Sequence, residues 1–143
     1  MNSAFEKLSG PGKSLRSEPT DAKEITGLKR SGHARLADAV KTDNSLESRF
    51  DLAYNAAHSF CLAALRWHGY RPANRYIAFQ ALPHTLGLGP EVWRVLAKCH
   101  ELRNLGEYEG DLNIDERIVS DLVYACRKVA MALDALQSPA GPK

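Results

Sequence analysis

An all-α, up-and-down bundle of four to five helices is the fold this chain predicts, and three observations predict it. Apolar residues recur at spacings of three and four through every long segment. Capping residues open those segments and glycine or proline closes them. Nothing reads as a strand, and the helix–helix connections are short. A length of 143 residues suits one domain with loose ends rather than two domains.

Taken in order, residues 1–19 read as a flexible leader. Ser9-Gly10-Pro11-Gly12-Lys13-Ser14 is rich in breakers, and few large apolar groups are available to bury. Gly12-Lys13-Ser14 has the form of the end of a phosphate-binding loop. That motif's first glycine would fall on Lys7, and no strand precedes it. The helical domain spans 20–137. Its first segment, from about Thr20, carries the sparse apolar set Ile25, Leu28, Leu36 and Val40. Gly27 and Gly32 weaken its middle, so one broken helix or two short ones are expected. Asn44 and Glu47 have the spacing of a capping box. The segment they open, through His68, has a wide stripe (Leu46, Phe50, Tyr54, Ala57, Cys61, Leu65) that suits a central helix.

Gly69-Tyr70-Arg71-Pro72 stops that helix. A third carries Tyr76, Ile77, Phe79 and Leu82, and Pro83 ends or kinks it. Pro90 suits the first position of a fourth, whose buried side is Val92, Val95, Leu96, Cys99 and Leu102. Gly106 is a weak point near its end. Asn113, with Glu116, caps a fifth that contains Val119, Leu122, Cys126, Val129 and Leu133, and 138–143 is a frayed tail.

Nineteen basic against seventeen acidic residues give +2, so any nucleic-acid site has to be a local patch. Cys61, Cys99 and Cys126 lie in apolar helical patterns, as buried reduced thiols of a cytoplasmic protein would. No apolar run is long enough to span a membrane. The five histidines His33, His58, His68, His84 and His100 form no His-x3-His or Glu-x2-His pair on one inward face, so no metal and no cofactor is expected. His58 reads as half-buried and His68 as a surface imidazole. No serine or cysteine lies on a recognisable nucleophile elbow.

Hydrogen-bonding chemistry concentrates between Cys99 and Gly110. Arg103 and Glu107 share a helix face, as do Asn104 and Tyr108, and Arg103 and Tyr108 are near enough to border one pocket. The simplest reading is a surface ion pair worth a few tenths of a kcal/mol, with Asn104 and Tyr108 tethering the next loop.

Arg103-Asn104-x-x-x-Tyr108 resembles the signature of the HEPN domains (higher eukaryotes and prokaryotes nucleotide-binding). Three further stretches agree: Ser48-Arg49-Phe50-x-x-Ala53-Tyr54-Asn55-Ala56-Ala57, the Gly69–Pro72 turn and the Glu107-Tyr108-Glu109-Gly110 exit. The similarity covers about 20–136. It implies a bundle that commonly dimerises, with the arginine motif near the dimer cleft. Many members are metal-independent ribonucleases of toxin–antitoxin, CRISPR or phage-defence systems. Others bind RNA or nucleotides without cutting, or act beside nucleotidyltransferase partners.

The family's ribonuclease motif runs from arginine through a polar residue to a histidine. Here Tyr108 stands at the shortest allowed histidine position, and no histidine follows. Cleavage through a 2′-hydroxyl needs proton transfer near neutrality, and a phenol of pKa about 10 is a poor base there. His100, one turn before Asn104, could stand in. The expectation is therefore a homodimeric RNA- or nucleotide-binding protein without efficient cleavage. Arg103 would contact phosphate, Asn104 would orient it, Glu107 would hold the arginine, and Tyr108 would pack on base or sugar, with His100 beside them. A ribonuclease toxin using Arg103 and Tyr108, paired with an antitoxin, is one alternative. A helical dimerisation or partner-docking module with no nucleic-acid ligand is the other.

Overall fold

Short polar side chains take up the free N–H groups at the start of four of the helices, and these caps set the boundaries of the bundle. The structure, a computed structural model, describes residue 5 and residues 14–110 and 112–136. The rest of the expected leader, with most of its Gly-Lys-Ser string, and the 138–143 tail lie outside the described residues. Helix α1 (Ala22–Ala39) opens on Asp21, whose carboxylate accepts from the Lys23 and Glu24 amides at 3.0 and 3.3 Å. It runs unbroken through Gly27 and Gly32, where a break was expected. Gly32 is a packing site: a Cβ there would lie 2.6 Å from the Phe60 ring, so its absence lets α1 close onto α2.

Helix α2 (Leu46–Trp67) is central, packed on α1 and on α6 at the end of the chain. Its cap is Ser45, which accepts from the Ser48 amide at 3.1 Å, and not Asn44. Asn44 instead donates its amide to the Asp38 carbonyl at the end of α1. Phe50, Tyr54, Phe60 and Leu65 of α2 are fully buried. Helices α3 (Arg75–Gln80) and α4 (Leu82–Thr85) are short. Pro83 stands in the first turn of α4, which it helps to separate from α3. Helix α5 (Pro90–Glu109) starts on Pro90 and ends on Gly110 in the left-handed conformation, φ 77°. Helix α6 (Glu116–Asp134) is capped by Asp115, which accepts from Ile118 N at 2.9 Å, and not by Asn113. The molecule is mostly helical, as its pattern predicts.

Two strands were not foreseen. β1 (Leu15–Ser17) and β2 (Tyr70–Pro72) pair antiparallel, with Arg16 opposite Arg71. Three residues are too few to display a period of two, so neither strand announces itself in the sequence. Their pairing also corrects the reading of 1–19 as wholly loose. Leu15 and Phe5 are each 1% exposed, and the Phe5 ring packs 5.0 Å from both His68 and Tyr70. His68 is accordingly half-buried rather than a surface imidazole, with its Nε2 2.9 Å from the Thr85 carbonyl oxygen.

Arg66 fastens this corner. Its side chain is 1% exposed, yet it donates to the Glu24 carboxylate at 2.7 Å and to the carbonyls of Glu18, Pro19 and Tyr70. Arg71 bridges Glu18 and Glu24 at 2.7 and 2.6 Å. Hydrogen bonds from Arg71 and Arg16 hold the Glu18 carboxyl at about 2. Burial raises the Glu24 carboxyl, but Arg71 and Arg66 outweigh it and leave it lowered. Both acids are depressed in the fold, so the stability they contribute is complete above about pH 4.5 and is lost as pH falls toward 2. Thermal melting between pH 2 and 6 should show that decline, and it should be shallower in Glu24→Gln. A midpoint independent of pH below 4.5 would contradict this account of the network.

The three cysteines are buried and free. Burial pushes the Cys99 and Cys126 thiols up to about 12 and Cys61 well above its ordinary value, so all three are inert packing groups at neutral pH. Among the described residues no helix is long and apolar enough to cross a membrane.

Candidate functional site

The chemistry gathers where α2, α3 and α5 meet, around the ring of Tyr54. Tyr54 reaches inward from the middle of α2 and is fully buried. Two guanidinium groups lie against its ring: Arg103 of α5, Cζ 5.0 Å from the centroid, and Arg75 of α3, at 5.6 Å. Its hydroxyl meets His100 Nδ1 at 2.7 Å, in a hydrogen bond whose direction depends on the imidazole tautomer. The His100 ring stacks on Tyr54 and lies 5.8 Å from the ring of Tyr76. Its other nitrogen, Nε2, is 3.1 Å from the amide of Asn104, one turn further along α5. His58, one turn after Tyr54 on α2, borders the same cluster, edge-on to Phe79.

The two arginines are not equivalent. Arg103 is half-buried and paired with Glu107 at 3.2 Å and Asp51 at 3.8 Å. Arg75 donates to Asn55 Oδ1 at 2.9 Å, and among the described residues no carboxylate pairs with it. The two carboxylates on Arg103 match the two guanidinium groups, and Glu101 beside His100 adds a third, so the formal balance is −1 while the imidazoles are neutral. They are neutral at pH 7. Burial, with Arg103 and Arg75 beside it, holds His100 below its usual range. Burial, with Arg75, His100 and Arg103 near, pushes His58 down to about 4. Burial raises the Tyr54 hydroxyl against the pull of Arg75 and Arg103, so it keeps its proton.

The residues expected to form the site divide in two. Arg103, Glu107, His100 and Asn104 stand together as helical spacing suggests, with Arg103–Glu107 an ion pair and His100–Asn104 a hydrogen bond. Tyr108 does not join them. It is 91% exposed, and the shallow groove beside Arg103 is bordered by Asp51, Gly106, Glu107 and Leu112 without it. A position five residues on from Arg103 is turned far around the helix, which corrects the shared-pocket reading.

Sequence reasoning missed Tyr54, His58 and Arg75 as site residues. Tyr54 was read as one more member of the apolar stripe of α2. The spacing of Tyr54 and His58 does place them on one face. Nothing in the sequence said that this face would meet His100. Arg75 opens a six-residue helix with too little pattern to orient it.

The cluster brings together two guanidinium groups that can pair with an anion, aromatic edges, and an imidazole that can supply or accept a proton. Among the described residues, no three histidine, cysteine, aspartate or glutamate side chains are grouped as a metal site. No protein-family model, curated protein or solved structure matches the chain.

Proposed function

We propose that this is an RNA- or nucleotide-binding protein of HEPN-like character, which receives a phosphate of its ligand between Arg75 and Arg103. The observation that carries the reading is Arg75: a half-buried cation against the Tyr54 ring, without a carboxylate partner among the described residues. A cation left in that state is stabilised by an anion arriving from solution. Arg103 exchanges its partly exposed carboxylates for the same ligand, giving up two ion pairs to do so. Tyr76, half-buried beside His100, offers a ring edge to a base or ribose. Tyr108, solvated on its helix end, is a secondary stacking contact at most.

His100 favours a second reading, slow metal-independent RNA cleavage. A neutral imidazole hydrogen-bonded to a phenol and flanked by two guanidinium groups has the parts for proton abstraction and charge stabilisation.

The test is binding of single-stranded RNA by the whole chain across salt, with the RNA afterwards inspected for cleavage. Binding should weaken steeply with salt, and Arg103→Ala should reduce the slope of log affinity against log salt by about 0.7, one phosphate contact on a single strand. A slope unchanged in Arg103→Ala would remove that arginine from the interface. Cleavage products lost in both Arg103→Ala and His100→Gln would establish the second reading.

A further inference from the structure

We infer that binding of a phosphodiester in this cleft is coupled to protonation of His100, so that ligand and proton are taken up together. The inference rests on the binding reading above and adds to it a pH dependence and the residue responsible.

Around His100 stand Arg75 and Tyr76 from α3, Asp51, Tyr54 and His58 from α2, and Glu101, Arg103, Asn104 and Glu107 from its own helix. With both imidazoles neutral, the two guanidinium groups face three carboxylates, Asp51, Glu101 and Glu107, and the formal balance of −1 disfavours a phosphate. One proton on His100 removes that negative balance. The proton is disfavoured in the free protein because burial and the two guanidinium groups oppose it. A phosphate seated between Arg75 and Arg103 cancels that repulsion and favours the charged ring.

The hydrogen bonds already in place admit the protonated form. The Tyr54 hydroxyl accepts from Nδ1–H as readily as it donates to Nδ1. Asn104 is exposed, and a turn of its amide presents Oδ1 to Nε2–H. His58 is held at about 4 chiefly by burial, so a neighbouring phosphate relieves it less.

The sign follows. Above the pKa of His100 in the complex, both free and bound protein are unprotonated and affinity is flat. Below its value in the free protein, both are protonated and affinity is flat again. Between the two, affinity rises as pH falls, by up to about tenfold per pH unit for one linked proton.

The probe is an oligouridylate with hydroxyl ends, which carries no group of its own titrating between about pH 5 and 8, the range in which an imidazole responds. Calorimetry in two buffers of different ionisation enthalpy should show net uptake of close to one proton per oligonucleotide in that window. His100→Gln should bind with an affinity independent of pH, whereas His33→Gln, whose imidazole pairs with Asp134 and lies outside the cluster, should keep the wild-type dependence. Imidazole resonances of the wild-type chain, titrated with and without the oligonucleotide, should show the His100 midpoint move up on binding. This last measurement stands even where a variant folds poorly. Binding with no proton uptake and no movement of the His100 midpoint would overturn the coupling and leave the binding reading intact. No binding at any pH would overturn both.

Discussion

Arg66→Met should lower the stability of the fold by about 3–5 kcal/mol, the usual cost of removing one partner from a buried charged network. The methionine fills much of the same volume, so the loss is one of donors rather than of packing. Glu24 would lose its 2.7 Å bond, and the carbonyls of Glu18, Pro19 and Tyr70 would each lose an N–H. Arg71 cannot replace it: Arg71 is already engaged with Glu18 and Glu24. Because Arg66 joins the end of α2 to the segment that leads into α1 and to β2, the damage should reach the β1–β2 pair and the burial of Leu15. For a domain whose whole stability is of order 5–15 kcal/mol, this is a large fraction. Urea unfolding should show a midpoint well below wild type. An unchanged midpoint would mean that the network contributes specificity of folding rather than stability.

Arg75→Ala should weaken binding of a single-stranded oligonucleotide by roughly ten- to a hundredfold, the span of one or two hydrogen bonds to a charged group. The expected effect exceeds that of Arg103→Ala. Arg103 brings Asp51 and Glu107 with it, and a ligand must displace them. Arg75 has neutral partners, Asn55 and Tyr54, so more of its charge is available. The substitution should leave stability nearly unchanged, since the side chain is half-exposed at the start of a short helix. That separation of binding from folding distinguishes Arg75 from Arg66.

How far these features could be read from the chain depended on whether their cause was local. The helices were legible because their periods and stops are local: Pro90 begins α5, and the stripe of α2 is buried as its spacing requires. Caps were legible only to within one or two residues, since Asn44 and Ser45, or Asn113 and Asp115, are chemically similar and the turn geometry decides between them. Gly32 misled because a glycine needed for close approach to Phe60 looks the same as one that breaks a helix. Half of the site lay along α5 and was visible as such. Arg103 with Glu107 and His100 with Asn104 are neighbours by helical spacing. The other half, Tyr54 and Arg75, arrives from α2 and α3 by packing across long separations in sequence, which no local pattern encodes. Arg66 shows the same limit, as a charge in an apolar stripe whose partners lie more than forty residues earlier.

The Arg75–Tyr54–Arg103 cluster is proposed to receive a phosphate. That role is tested most directly by the equilibrium affinity of wild type, Arg75→Ala and Arg103→Ala for one oligouridylate, at low salt and fixed pH, with folding of each variant checked by its melting temperature. Wild type should bind measurably, Arg103→Ala more weakly and Arg75→Ala most weakly, with near-identical melting temperatures. Equal affinities across the three proteins, or no binding by wild type, would contradict that role.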